Sequence, residues 1–198
     1  RIKKYYGRNS TVIHPPVDVN RFDPARERGE YYVTLGRQVP YKHFDVVVRA
    51  ATQLGIPLRV FGNGPEHQRL VDMAGPTVEF HTDRTGDASD AAVTDALNNA
   101  RGFIYAAEED FGIVQVEALA AGAPVIALDR AGTRDIVENG VSGVTFRDQN
   151  TDSLVEAIHS AQSMTFMPAL LRRKSKRFDK SLFITKIRKV VGDQINRT

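Results

Sequence analysis

The chain has no cysteine and no tryptophan. Without cysteine it can build no disulfide scaffold, zinc ribbon, thiol nucleophile or iron–sulfur site, and it suits a reducing compartment. Its five histidines are scattered, and no Asp-x-Asp occurs, so no metal and no cofactor are expected. No uncharged apolar run approaches the roughly 18–20 residues that a bilayer crossing needs. Repeats and low-complexity segments are also missing. What remains is the composition of an ordinary globular chain: 198 residues, 41% hydrophobic and 26% charged, which argues against wholesale disorder and against a fibre.

Charge is scarce overall and uneven in place. The sum is 27 − 24 = +3. Arg1, Lys3, Lys4 and Arg8 sit in the first ten residues without an acid, and residues 171–198 hold ten Lys or Arg against Asp179 and Asp193. The two ends thus carry +4 + 8 = +12, which leaves 3 − 12 = −9 for the middle. Basic ends of this kind suit an anionic membrane surface or a solvated helix face; no nucleic-acid partner is expected. The opening Arg-Ile-Lys-Lys, without Met or a signal pattern, reads as a cut from something longer.

Apolar runs bounded by Gly and Pro alternate with helical stretches. Strands are expected at 31–35, 58–61, 77–81, 102–106, 124–128 and 143–146. Helices are expected at 43–54, 66–74, 88–100, 113–121, 134–138 and 151–162. Several strands are apolar throughout, the pattern of a parallel sheet covered on both faces. The fold class is therefore α/β, a doubly wound Rossmann-like sheet over residues 31–165. Residues 1–30 read as a linker with the first elements; Val12-Ile13-His14-Pro15-Pro16-Val17 is extended, since each X-Pro disfavours the helical region. Residues 166–198 read as a basic helical segment with a thin apolar seam of Phe178, Phe183, Ile187, Val190 and Val191. So little apolar surface suggests a helix that docks elsewhere.

In a doubly wound sheet ligands bind beyond the carboxyl ends of the strands, so the loops there carry the chemistry. After the first strand comes Gly36-Arg37-Gln38-Val39-Pro40-Tyr41-Lys42. Two cations beside a strand end suit a diphosphate, Arg as a two-pronged donor and Lys as a point charge; ordinary surface cations would read the same. The second loop, Gly62-Asn63-Gly64-Pro65, either lets a backbone approach a ligand closely or is a tight turn. No third glycine completes a dinucleotide fingerprint. The fourth loop runs Glu108-Glu109-Asp110-Phe111-Gly112-Ile113-Val114-Gln115-Val116-Glu117. Gly112 opens a helix whose exposed N–H groups and dipole form an anion seat. Glu117, one turn in, can accept both hydroxyls of a ribose-like diol, and Glu109 can touch a group beyond the far phosphate. A plainer account has Glu108, Glu109 and Asp110 stabilising a helix N-terminus by about 0.3–1 kcal/mol each, but it leaves Glu117 unexplained.

These residues resemble the nucleotide-sugar-binding domain of retaining glycosyltransferases of the GT-B fold, family 4, also called glycosyl transferases group 1. The resemblance rests on Gly36-Arg37-x4-Lys42, Gly62-x-Gly64-Pro65, Glu109-Asp110-Phe111-Gly112-x4-Glu117 with the following Ala118 to Ile126, and Ala131-Gly132-x2-Asp135, across residues 31–146. It implies that Arg37 and Lys42 neutralise the donor diphosphate. The backbone of Gly112, Ile113 and Val114 would cradle its far phosphate, Glu117 would hold the ribose, and Glu109 would contact the hexose. Gly62 and Gly64 would complete the donor seat. Catalysis would fall to Glu109, Arg37 and Lys42. Many relatives carry Gly where this chain has Ala131, and Glu where it has Asp135. The third loop, from His81 to Ser89, lacks the glycine that usually follows the strand where the base is met.

The resemblance further implies the C-terminal half of an enzyme, either excised or made as a separate subunit, inactive without an N-terminal acceptor domain on which residues 166–198 dock. Across residues 31–146 the chain looks most like bacterial mannosyltransferases that use GDP-mannose, with a UDP-sugar as the other donor in view. The acceptor would be a glycan or a lipid-linked sugar, and the location cytoplasmic or peripheral at the inner membrane face. A sugar-nucleotide epimerase or sugar phosphorylase of the same fold stays open, as does a non-catalytic nucleotide-sugar or anionic-surface binding module.

Overall fold

The computed structural model describes residues 2–82 and 89–195. Six parallel strands form one sheet: β1 Tyr32–Leu35, β2 Leu58–Phe61, β3 Val78–His81, β4 Gly102–Tyr105, β5 Val125–Leu128 and β6 Gly143–Phe146. Their order is β3-β2-β1-β4-β5-β6. The chain steps outward from β1 to β3, returns to the other side of β1 at β4, and steps outward again. The direction of winding reverses between β1 and β4, which makes their carboxyl ends the natural mouth for a ligand.

Each strand falls within a residue of its expected place. The reason is physical: β4 and β5 are buried at every position. A strand covered on both faces needs an unbroken apolar run. Helices α2 Phe44–Leu54, α3 His67–Met73 and α7 Thr151–Gln162 cover one face, where Val47, Val48, Leu70, Leu154 and Ile158 meet Ile104 and Ile126. The opposite face carries α4 Asp90–Asn98, α5 Ile113–Ala120 and α8 Pro168–Ser175. There Leu97, Val116, Leu119 and Leu171 pack on Phe103 and Val125. Fully burying one such Leu or Ile contributes about 1.5–3 kcal/mol. Two real caps explain two helix starts: Ser89 Oγ accepts from the Ala92 N–H at 3.2 Å, and Asn150 Oδ1 from the Ser153 N–H at 2.9 Å.

Three local differences from expectation emerge. The fourth helix starts at Asp90, where Ser89 caps it, and residues 83–88, including the expected Ala88 start and most of the third loop, lie outside the described residues. The short α6 runs Thr133–Ile136 and so ends earlier than 138. The C-terminal seam is split: Phe178 is buried in the main core, while Ile187 and Val191 of α9 Lys180–Ile195 are exposed and Phe183 and Val190 half-buried.

The flanks cross each other beneath the site. The Val17 N–H donates to the Phe178 carbonyl and the Lys180 N–H to the Val17 carbonyl, both at 3.0 Å. Val17, Val19 and Phe22 are buried in the core. Arg172 of α8 fastens this strap to α5: its guanidinium donates to the carbonyls of Phe22 at 2.9 Å and Ala120 at 3.2 Å, and to that of Val19. By contrast, α1 Ile2–Tyr6 buries nothing. Among the described residues no helix is long and apolar enough to cross a membrane.

Candidate functional site

The loop after β1 and the loop after β2 form one rigid unit, and Gln38 is the reason. Its side chain is fully buried. Nε2 donates to the Gly62 carbonyl at 2.6 Å, and Oε1 meets His67 Nδ1 at 2.8 Å. The Gln38 N–H donates to the Asn63 carbonyl, and its carbonyl accepts from the Glu66 N–H. Gly62 adopts φ +99°, a left-handed conformation, and a Cβ there would collide with the Gly36 carbonyl. A Cβ on Gly64 would overlap the Gln38 backbone. These two glycines thus set the loop-to-loop packing. Arg37 is exposed and lines a hollow of about 560 Å³ with Gly36, Gly62, Asn63 and Asp90.

Lys42 comes next, swung back by a 3-10 turn at Pro40–Lys42. Its ammonium lies over Gly36, 3.2 Å from where a Cβ would stand, and pairs with Glu109 at 2.9 Å. Lys42 is 15% exposed and Glu109 23%, so the pair sits at the floor of the mouth and not on open surface. Glu109 lines the larger hollow, about 770 Å³, together with Gly112, Ile113, Val114, Tyr41 and His43. The Glu109 carbonyl accepts from the Gly132 N–H at 2.9 Å, which fixes the loop against α6.

Gly112 precedes α5 at φ +93°, and among the described residues no side-chain cap hydrogen bond is made to that helix. The first N–H groups of any α-helix lack intrahelical partners. An uncapped helix end lining a hollow of this size presents those donors, and the positive end of the helix dipole, to whatever enters. Beneath it, at the end of β4, Tyr105 is buried. Its hydroxyl has no hydrogen bond of ordinary geometry among the described residues. Burial first, and then the nearby Glu109 carboxylate, hold that phenol protonated well above its usual range.

Glu117 lines neither hollow. It receives Arg21 Nη2 at 2.8 Å, and Arg21 Nη1 stands 3.9 Å from Asp90 of α4. Burial raises the Glu117 carboxyl above its ordinary value; Arg21 opposes that rise and Asp90 adds to it. Because Asp90 lines the smaller hollow with Arg37, the Arg21–Glu117 pair stands at its rim. Of the nine residues singled out in the sequence, Arg37 and Gly62 line the smaller hollow and Glu109, Gly112, Ile113 and Val114 the larger; Lys42 reaches from Gly36 to Glu109, and Gly64 and Glu117 line neither hollow. Arg21, Gln38, Tyr105 and His43 escaped the sequence reading. Gln38 had one available signal, its place between the two cations; Arg21 had none, standing 96 residues from its partner.

This arrangement suits a ligand with a doubly charged centre, a polar group beyond it and a flat or diol-bearing part on the other side. Comparisons with known proteins bear on the family and the fold. The family model for glycosyl transferases group 1 matches residues 18–178. Over 163 residues the chain is 32% identical to a GDP-mannose-dependent alpha-mannosyltransferase of Mycobacterium tuberculosis, covering 74% of this chain and 42% of that protein. The chain thus spans less than half the length of this relative. Among solved structures, a glycosyltransferase from Rickettsia africae superimposes with a TM-score of 0.84 at 17% identity, covering 100% of this chain and 61% of the other. Anabaena HepE in complex with UDP-glucose gives 0.76 at 20% identity, covering 92% of this chain and 57% of the other. At these identities the likeness establishes a shared fold.

Proposed function

The chain belongs to the glycosyl transferases group 1 family, and on that premise we propose that its sheet edge is the donor seat of a retaining hexosyltransferase. In this reading the chain is the C-terminal half of a GT-B enzyme of family 4, and the donor is a nucleoside diphosphate sugar. GDP-mannose is favoured because a relative 32% identical is named for it; UDP-sugars stand second because HepE is named with UDP-glucose. The observation that carries the proposal is the uncapped, glycine-fronted start of α5 beside the Lys42–Glu109 pair, with Arg37 on the same edge.

The chemistry follows from the charges. When the bond between the anomeric carbon and the diphosphate oxygen breaks, negative charge gathers on the diphosphate. In this reading the N–H groups at Ile113 and Val114, with Lys42 and Arg37, would meet that charge. Glu109, released from Lys42 as the diphosphate takes that ammonium, meets the positive charge on the sugar. A protein-borne set of cations can do this work without a metal. The acceptor, a glycan or a lipid-linked sugar, would come from an N-terminal domain, and the exposed Ile187 and Val191 face of α9 supports docking there. The basic ends would suit the anionic inner face of a membrane.

Titration calorimetry of the chain with GDP, UDP and ADP tests the reading. One of them is expected to bind, and Arg37→Ala is expected to weaken it by about 1.5–3 kcal/mol, the worth of a charge-assisted contact. No heat with any of the three, or a loss under about 0.5 kcal/mol on Arg37→Ala, would contradict the proposal.

A further inference from the structure

Glu117 is an unusual carboxylate: 17% exposed, one turn inside a helix, and among the described residues its ion-pair partner arrives from the strap between the chain's first residues and the sheet. The geometry points to Arg21 as a positioning residue of the donor site, one that fixes the Glu117 carboxylate, supplies its counter-charge and leaves its second oxygen for a ribose diol. The inference rests on the donor-seat reading given above and adds to it a residue outside the sheet domain.

Three observations support it. First, the contact is built, not incidental. Val19–Arg21 forms a 3-10 turn started by Asp18, whose side chain accepts from the Asn20 N–H at 3.2 Å. Arg172 then ties Val19, Phe22 and Asn20 down onto α5, the helix that carries Glu117. Second, the contact is one-sided: Arg21 Nη2 meets Oε1 at 2.8 Å, so one oxygen is anchored. Third, the charges around Glu117 leave Arg21 as its counter-charge. Asp90 faces it with the wrong sign. Arg172 of α8 spends its guanidinium on carbonyls and Asn20. Arg134 of α6 is held by Asp129 at 3.0 Å. A buried carboxylate that lost Arg21 would be pushed toward its neutral form, and a neutral carboxyl is a weaker acceptor for two hydroxyls.

The test compares GDP and UDP with their 2′-deoxy forms, titrated into the full chain between pH 6 and pH 8.5. The wild type is expected to prefer the ribo form about tenfold. Arg21→Met should reduce that preference to about twofold or less, with the larger loss toward the acid end of the range. Arg21→Lys, which keeps the charge and disturbs the strap least, should hold most of the preference throughout. A purely structural role would weaken ribo and deoxy forms alike and leave their ratio and its pH profile unchanged; that result overturns the inference while the donor seat stands. A wild type that binds none of the four overturns both. Should Arg21→Met fail to fold, Arg21→Gln, which also removes the charge, takes its place with the same two outcomes.

Discussion

Lys42 and Glu109 neutralise each other across 2.9 Å, and in the proposed reading both would contact the donor. Both residues could be read from the sequence because each stands in a loop at a strand end, where cations and carboxylates have few structural duties. Ala131 shows the complementary case. It lines the larger hollow at φ +43°, a conformation that costs a non-glycine residue energy. Ala131→Gly should relieve that cost, less the extra freedom glycine gains in the unfolded chain, for a net gain of about 1 kcal/mol. A thermal melt should rise by about 2–4 °C; a fall would contradict the strain. Arg21 marks the limit of reading residues in a row. Its meaning comes from a strap folding back on α5, and no spacing rule links positions 21 and 117.

At the scale of elements, the six strands and most helices were legible because burial on both faces imposes continuous apolar runs, and Gly and Pro punctuate them. The carboxyl-edge placement of the site followed from that topology. The C-terminal segment was less legible, since one apolar seam covers two situations that sequence does not separate. Phe178 packs against Phe111 of the site loop, ring centroids 5.3 Å apart, and His14 stacks on Phe111 at 5.4 Å. Ile187, nine residues later, is exposed. Phe178→Ala should therefore cost about 3–5 kcal/mol in denaturant unfolding, whereas Ile187→Ala should fall within about 0.5 kcal/mol. Equal costs would contradict this division of α9 from the core.

The molecule as a whole offers two ends of one sheet. The carboxyl edge holds Arg37, Lys42, Glu109 and the open start of α5. The amino edge has a smaller hollow of about 260 Å³ lined by Arg28, Tyr32, Arg101 and Pro168. There the Arg28 guanidinium donates to the Leu97, Ala100 and Ala121 carbonyls at the ends of α4 and α5, which is a structural duty. Two arginine-bearing hollows at opposite edges make the proposed assignment testable, since it expects a diphosphate at the carboxyl edge alone. Backbone amide NMR during titration with the tightest-binding nucleoside diphosphate reads that choice directly. The largest shifts are expected at Gly112, Ile113 and Val114, with Gly36 and Arg37 next and the amino edge silent; shifts centred on Tyr32 and Arg101, with Gly112 unmoved, would contradict the account.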